Sequence, residues 1–275
     1  MVSKKLWEQI IKISAGVFLG IVMSPQFLSP VPVLSQPGSD YQDTSESSLE
    51  YSFNPPSRGA PAKTSEGGSR GCNWQPGQKL LSPLIPSEAM AFTVSEYPSF
   101  FWYLPPAHKL DESAAGVGGS VQFMLIDENQ NIVYHTKLSV LSSGIMSHTL
   151  SPEEAEPLAE NKQYHWLVSM VCDSEDPSAN ALIDGWVERI SVSEELQVEL
   201  ENATENDLPY IYAREGIWHE ALTTLAQLRQ QNPDDETILS RWSEFLRSVN
   251  LGEFTEEPLI DPGAIVEPRN QEEMS

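Results

Sequence analysis

The sequence predicts a mainly β protein with a helical C-terminal part. Between Leu80 and Val192, apolar residues recur at every second position in roughly seven short segments separated by turn residues, which is typical of an antiparallel β-sandwich. After Ser193 the apolar spacing becomes that of an α-helix. We therefore expect an immunoglobulin-like or fibronectin-like antiparallel β-sandwich at residues 72–192 and a short helical hairpin at residues 193–250.

Two segments define the strands most clearly. Residues 120–139 alternate around the turn DENQ and predict a hairpin. The longest strand contains the alternating residues Tyr164, Trp166, Val168, Met170 and Cys172. Tyr164 lies six residues after Leu158, as in the tyrosine corner of such sandwiches, where the hydroxyl bonds to upstream backbone. We therefore expect Tyr164 to have a structural role.

The stretch YPSFFWYLPP, at residues 97–106, has four consecutive aromatic residues. Strand alternation directs its even-numbered side chains toward the core and leaves Phe101 and Tyr103 on the opposite face. Because each large aromatic side chain buries ~150–250 Å², we expect this face to be covered as well. The cover is either the helical hairpin, with Trp218 and Leu222, or the segment before the sandwich. The alternative is that Phe101 and Tyr103 bind a ligand.

The first 35 residues have the features of a signal peptide. Three lysines precede the apolar run ISAGVFLGIVM, which is shorter than the ~20 residues that a membrane span needs. We expect cleavage after Ser35 and export to the periplasm or the extracellular space, with no membrane attachment afterward; the alternative is an uncleaved anchor. Removing three Lys and one Glu changes the formal charge from −24 to −26. So acidic a chain repels nucleic acid and anionic membranes.

The chain has two cysteines, Cys72 and Cys172. An even number of cysteines in an exported chain favours a disulfide, and closing a loop of this length stabilises a fold by up to ~4.7 kcal/mol. The alternative is two unrelated buried thiols.

The segments that flank the predicted domains are polar. Residues 36–71 are rich in Ser, Gly and Pro and predict a flexible arm. Its basic residues, including Arg58 and Arg70, either dock on an anion or on the protein's own acidic surface or belong to a plain linker, and the composition favours the plain linker. Residues 251–275 are acidic with spaced prolines and predict a disordered tail.

The helical part begins with Ser193, which we expect to cap a short helix. Beyond it, apolar and small residues are spaced as in one tetratricopeptide repeat, and they include Leu208, Tyr212, Gly216, Trp218, Ala221, Leu222, Leu225 and Leu228. A peptide-binding solenoid needs about three repeats. We therefore favour a hairpin that packs on the sandwich over a hairpin that binds a peptide.

No catalytic motif is present. The five histidines lack metal-site spacing, and no nucleotide-binding or nucleophile motif occurs, so we expect no cofactor. The best metal candidate is a weak one for calcium, formed by Asp173, Glu175 and Asp176. Glu175 and Asp176 could instead work with Asp184 as the carboxylates of a glycan hydrolase, if they lie about 5–10 Å apart.

Several separated motifs resemble a protein family. They are PPSRGAPAKTSEGGSRGC, TVSEYPSFFWYLP, YHWLVSMVCD, GWVERI and YAREGIWHEALTTLAQLRQQNP. These stretches, over about residues 53–250, resemble a family of exported proteins best known from cyanobacteria and named only as a domain of unknown function. The resemblance implies a secreted or periplasmic protein and carries no catalytic residues to transfer.

We therefore expect a non-catalytic binding or interaction module of the cell envelope, with an envelope protein or a polysaccharide as its partner. The candidate binding residues are Arg58, Arg70, Phe101 and Tyr103. The alternative is the carboxylate-based envelope hydrolase. Neither the ligand nor the oligomeric state follows from the sequence.

Overall fold

The structure, a computed structural model, describes residues 51–260 apart from positions 60, 62–71, 73, 75, 88, 107–118, 141 and 173–175. The described part of the chain is mainly β, with nine strands in two sheets and four helices toward the C-terminus. The strands are β1 (Ser82–Pro83), β2 (Ala91–Thr93), β3 (Ser99–Leu104), β4 (Gly119–Asp127), β5 (Ile132–Val140), β6 (Gly144–Thr149), β7 (Lys162–Met170), β8 (Ala181–Arg189) and β9 (Leu259–Ile260). The helices are α1 (Glu194–Asn202), α2 (Leu208–Arg214), α3 (Trp218–Gln231) and α4 (Glu236–Ser248), and 3₁₀ turns span Pro177–Ala179 and Gly252–Phe254.

One sheet has the strand order β1-β3-β6-β9 and the other the order β2-β8-β7-β4-β5. The long strands pair antiparallel, and β4 and β5 form the predicted hairpin. The expectation of a wholly antiparallel arrangement is wrong at two edges, because β2 pairs parallel with β8 and β9 pairs parallel with β6. A long stretch of chain separates each of these short strands from its partner, so no tight turn forces the antiparallel direction.

Aromatic rings from both sheets meet around Phe123 of β4, which is fully buried. Its ring centroid lies 5.0 Å from that of Phe100 and 6.1 Å from that of Trp102, both on β3 of the other sheet. The ring of Trp166 on β7 packs against the same group, 5.6 Å from Phe100 and 6.4 Å from Phe123. These contacts hold the two sheets together through the even-numbered residues of β3.

The opposite face of β3 is also covered. Phe101 is 6% exposed and Tyr103 is 4% exposed, and the ring of Tyr103 packs 5.0 Å from that of Phe254 in the second 3₁₀ turn. Along the edge of β3 that pairs with β1, Leu84 donates its backbone N–H to the carbonyl of Phe101, and the indole of Trp218 donates to the carbonyl of Leu84. The prediction that this strand is covered on both faces is confirmed.

The first turn of α3 is fastened to the strands by two buried side chains. His219 Nδ1 donates to the carbonyl of Ser99 over 2.9 Å. Glu220 Oε1 accepts from the hydroxyl of Thr93 over 2.6 Å and from the N–H of Ser95 over 3.0 Å. Burial raises the pKa of Glu220 and lowers the pKa of His219 to about 4. Within the described residues 51–260, the helices therefore belong with the sheets to one compact unit.

Three local predictions agree with the structure. The Ser193 side chain caps α1 by accepting from the N–H of Leu196. The hydroxyl of Tyr164 accepts from the N–H of Ala159 over 3.0 Å, which is the expected bond to upstream backbone. Cys72 and Cys172 form a disulfide, so the alternative of two unrelated thiols is wrong.

The predicted flexible arm is wrong for residues 51–59. Tyr51 and Phe53 are buried, and the ring of Phe53 meets the indole of Trp218 edge-on at 5.0 Å. Asn54 donates its backbone N–H to the carbonyl of Ala213. These two aromatic side chains outweigh the polar average composition of the segment because each buries a large area against the helices. Most of the remaining arm lies outside the described residues.

The predicted disordered tail is wrong for residues 251–260. This stretch forms the second 3₁₀ turn and strand β9, and Phe254 is 2% exposed. Glu257 pairs with Lys79, and Arg229 donates to the carbonyl of Glu257. Phe254, together with the partly buried Leu251, Leu259 and Ile260, packs against the core and orders a segment whose charge alone suggested disorder. Residues 261–275 lie outside the described residues.

The burial of His219 generates a prediction about acid stability. The pKa of His219 is about 4 in the folded chain and ~6.5 when unfolded, so the unfolded chain binds the proton first. The contribution of neutral His219 to the free energy of unfolding is therefore fully present above pH ~6.5. As the pH falls from ~6.5 through 4, up to about 3 kcal/mol of it is lost. His219→Gln keeps a donor for the Ser99 carbonyl but does not titrate, so we expect a shallower loss of stability between pH 7 and pH 4.

Urea unfolding at a series of pH values, on the chain lacking the predicted signal peptide (residues 36–275), measures this effect. His135→Gln is the matched control because His135 is exposed on β5. Burial also lowers the pKa of His148, so part of the wild-type slope remains in every variant. An unchanged slope in His219→Gln, or an equal change in His135→Gln, would contradict the assignment.

Candidate functional site

The candidate site lies on the face of the five-stranded sheet that points away from β3. On β7, Trp166 and Val168 point into the core, so alternation directs Gln163, His165 and Leu167 to the other face. The register of β7 and β8 places them opposite Glu188, Trp186 and Asp184, respectively. We call Gln163, His165, Asp184, Trp186, Glu188 and the neighbouring Arg58 the outer-face cluster.

An aspartate–histidine pair occupies the centre of the outer-face cluster. Asp184 Oδ2 lies 2.7 Å from His165 Nε2, and the exposed fractions of the two side chains are 0% and 14%. Burying a carboxylate is costly unless it accepts hydrogen bonds, and a carboxylate can only accept. When the ring is neutral, Asp184 therefore keeps the proton on Nε2 and leaves Nδ1 as an acceptor. Within the described part of the chain, Nδ1 makes no hydrogen bond.

The imidazole of His165 stacks on the indole of Trp186. The two ring centroids are 4.6 Å apart and the planes differ by 16°. Both residues are partly buried, and they project from neighbouring strands of a long antiparallel pair. Because strands hold side chains more precisely than loops do, the two rings form a preorganised stack.

Glu188 closes one end of the outer-face cluster. Its Oε1 accepts from Arg58 Nη1 over 2.8 Å, and its Oε2 accepts from Gln163 Nε2 over 3.0 Å. Of the alternatives for the basic residues of the arm, docking on the protein's own acidic surface is the one that the structure shows for Arg58, so a plain linker is wrong for this residue. This residue is 55% exposed, so the ion pair itself stabilises the fold only modestly. Arg70 lies outside the described residues.

Phe101 and Tyr103, the candidate aromatic binding residues, are both buried. In this structure neither side chain is accessible to a ligand, and the ring of Tyr103 packs against that of Phe254. Sequence reasoning missed Trp186 and His165 as a pair. Alternation alone places both on an outer face, but only the β7–β8 register, which the sequence does not specify, brings the rings together.

The acidic residues of the β7–β8 connection are not brought together in the described part of the chain. Asp173 and Glu175 lie outside it. Asp176 is exposed and accepts from the N–H and the hydroxyl of Ser178, which lowers the pKa of Asp176. Asp184, by contrast, is buried against His165. Among the described residues, no group of three His, Cys, Asp or Glu side chains is placed to hold a metal ion.

A second chain of titratable groups lies where β5 approaches β6. The hydroxyl of Tyr134 donates to Glu154 over 3.0 Å and lies 3.1 Å from His148 Nε2. Burial and Glu154 together raise the pKa of Tyr134 to about 12, so the phenol stays protonated at neutral pH. Its protonated hydroxyl links the two sheets, and we assign these residues a structural role.

The fold is that of a mainly β protein whose two sheets pack through aromatic rings, with helix α3 against β2 and β3. The family described as Domain of Unknown Function (DUF928) matches residues 65–259, and the chain belongs to this family. No curated protein matches the chain.

Among solved structures, the chain is similar to the solution structure of the fn3 domain of the human collagen alpha-1(XX) chain. The two are 15% identical, the match covers 47% of this chain and 93% of that one, and the TM-score is 0.24. In the portion of the chain that the structure describes, no helix is long and apolar enough to cross a membrane.

The Asp184–His165 bond yields a prediction about stability. His165→Ala removes one hydrogen-bond partner from a buried carboxylate and a ring from Trp186, so we expect a loss of about 1–3 kcal/mol in the free energy of unfolding. His135→Ala, on the exposed face of β5, should change it by no more than about 0.5 kcal/mol. Urea unfolding at pH 7 compares the two variants. Equal effects of the two substitutions would show that Asp184 does not depend on His165.

Proposed function

We propose that this protein is an exported, non-catalytic binding module of the cell envelope, and that its outer-face cluster binds a neutral polysaccharide. The stack of His165 on Trp186 carries the proposal. It is a flat aromatic surface on a rigid sheet, and donors and acceptors surround it.

The chemistry of the outer-face cluster suits a sugar ring. A pyranose has an apolar face of C–H groups that packs on an indole and hydroxyls that need directed hydrogen bonds. His165 Nδ1 can accept such a bond because Asp184 holds the ring proton on Nε2. Gln163 and Arg58 add amide and guanidinium N–H groups beside it, and Glu188 orients both.

The negative charge of the chain favours a neutral polysaccharide over an acidic one as the ligand. At −26 without the predicted signal peptide, the protein repels acidic polymers at low ionic strength. A neutral glycan avoids that cost. An acidic polysaccharide would bind only through the local contribution of Arg58, which is already paired with Glu188.

The location is part of the same proposal. Residues 1–35 have the pattern of a signal peptide, and the Cys72–Cys172 disulfide supports an oxidising compartment such as the periplasm or the extracellular space. The sequence motifs favour a cyanobacterial origin. We further propose that the two sheets form an immunoglobulin-like or fibronectin-like sandwich and that α2 and α3 correspond to a single tetratricopeptide-like hairpin, which covers β3.

A carboxylate-based glycan hydrolase is the second proposal. It has less support, because Asp176 is exposed and bonded to its own turn whereas Asp184 is buried and bonded to His165. An envelope protein as the ligand of the outer-face cluster is an outcome that the following experiment distinguishes.

Binding of residues 36–275 to a glycan array, followed by calorimetry with the best neutral oligosaccharide, tests the proposal. Trp186→Ala removes the stacking surface and should weaken binding at least 10-fold. His165→Asn, which retains a donor for Asp184 but loses the ring, should weaken it by a smaller factor. His135→Ala on β5 is the matched control and should bind as the wild type does.

Three outcomes would contradict the proposal: no glycan binds, binding survives Trp186→Ala, or the protein captures only an envelope protein in a pull-down. Release of reducing ends from the bound oligosaccharide would instead favour the hydrolase.

A further inference from the structure

The two ring nitrogens of His165 have different surroundings. Nε2 lies 2.7 Å from Asp184 Oδ2, whereas Nδ1 makes no hydrogen bond to any described residue. In the same part of the chain, Nδ1 is not one of the buried polar atoms that lack a partner, although the indole nitrogen of the neighbouring Trp186 is. A ligand can therefore reach Nδ1 of His165 but not the N–H of Trp186.

The β7–β8 register determines which way Nδ1 points. Asp184 lies opposite Leu167, which is two residues after His165. Glu188 lies opposite Gln163, which is two residues before His165. The two nitrogens of an imidazole ring point in diverging directions in the ring plane. Because Nε2 is directed at Asp184, Nδ1 is directed toward the end of the outer-face cluster that holds Glu188 and Gln163.

The polar groups at that end leave a clear role for Nδ1. Glu188 accepts from Arg58 Nη1 through one oxygen and from Gln163 Nε2 through the other. Arg58 is 55% exposed, and a guanidinium group can only donate. A ligand that binds at this end therefore meets donors on Arg58 and an acceptor on the ring of His165.

Asp184 is the reason that Nδ1 is an acceptor. Its side chain has no exposed surface, and a carboxylate accepts hydrogen bonds but cannot donate them. If the ring proton moved from Nε2 to Nδ1, two acceptors, Nε2 and Oδ2, would face each other over 2.7 Å. Such an unsatisfied contact is costly at a buried carboxylate. While the ring is neutral, the proton therefore stays on Nε2, and Nδ1 can only accept.

An acceptor at this position distinguishes among derivatives of one sugar. An unsubstituted hydroxyl can donate to Nδ1, whereas an ether, an ester or a fluorine at the same position cannot. These three groups would displace water from Nδ1 without replacing its hydrogen bond. A site built to bond a hydroxyl discriminates strongly against an analogue that lacks it.

We propose that the outer-face cluster selects a neutral polysaccharide in which one particular hydroxyl is unsubstituted. That hydroxyl donates to Nδ1 of His165, and Asp184 is the positioning residue that keeps the ring proton on Nε2. The inference rests on the proposed function, because it names the feature of the glycan that the same site recognises.

The position of the ring proton can be measured without a ligand. In residues 36–275 labelled with ¹⁵N, long-range ¹H–¹⁵N correlation spectra at pH 8 distinguish a protonated from an unprotonated ring nitrogen, and His165→Asn assigns the signals. We expect a protonated Nε2 and an unprotonated Nδ1. A proton on Nδ1, alone or together with one on Nε2, would overturn the inference even if the protein binds a glycan.

Calorimetry measures the selectivity. The ligands are the best neutral oligosaccharide and derivatives in which one hydroxyl at a time is replaced by fluorine or is O-methylated. Fluorine adds little bulk, so its effect reports the lost donor. We expect one position at which both derivatives bind about 10-fold more weakly or worse. In Asp184→Asn, the amide can donate to Nε2 or accept from it, so both tautomers are allowed and that loss should shrink to about threefold or less.

Asp235→Asn is the matched control. It makes the same exchange at the N-cap of α4, where asparagine caps as well as aspartate does, so the loss at the selected position should equal that of the wild type. If urea unfolding shows that Asp184→Asn does not fold, the spectra and the wild-type derivative series still decide the question.

The inference is wrong if a glycan binds and all of its derivatives bind equally well, or if Asp184→Asn and Asp235→Asn behave alike. Glycan binding itself persists in both cases, so the proposed function would stand. If no glycan binds at all, both proposals are wrong.

Discussion

Burial of strand β3 on both faces is the constraint on which the rest of the structure depends. All six of its residues are buried. Phe100 and Trp102 pack into the ring cluster around Phe123, Tyr103 packs against Phe254, and the carbonyls of Ser99 and Phe101 accept from His219 of α3 and from the N–H of Leu84. Because the helices and the flanking segments are needed to cover one side of β3, the sheets and the helices form one unit.

The sequence predicted those features whose cause is local. Alternation predicted the β4–β5 hairpin, a polar side chain before a helical pattern predicted the Ser193 cap, and spacing predicted the bond of Tyr164 to upstream backbone. It failed where a few apolar residues act inside a polar segment. Residues 51–59 and 251–260 are ordered by Tyr51, Phe53 and Phe254, and the average composition of those segments hides such single anchors.

The candidate site could be predicted only in part, for a different reason. A period of two determines which face of a strand a side chain occupies, but the relative shift of two strands depends on the packing of the whole sheet. The stack of His165 on Trp186 and the bond of His165 to Asp184 both require the β7–β8 register. For Arg58, docking on acidic surface was one of three alternatives, and its partner Glu188 follows only from the position of the arm beside β8. For the outer-face cluster, strand alternation could therefore be predicted from the sequence, whereas the β7–β8 register could not.

The claim that this surface recognises a ligand can be tested most directly by hydroxyl-radical footprinting of residues 36–275, with and without the organism's own purified envelope polysaccharide. The account predicts that oxidation of Trp186 and His165 falls when the polysaccharide is present, whereas exposed reference residues such as Ile132 and Val198 are oxidised equally in both samples. Unchanged oxidation of Trp186, or protection located away from β7 and β8, would contradict it.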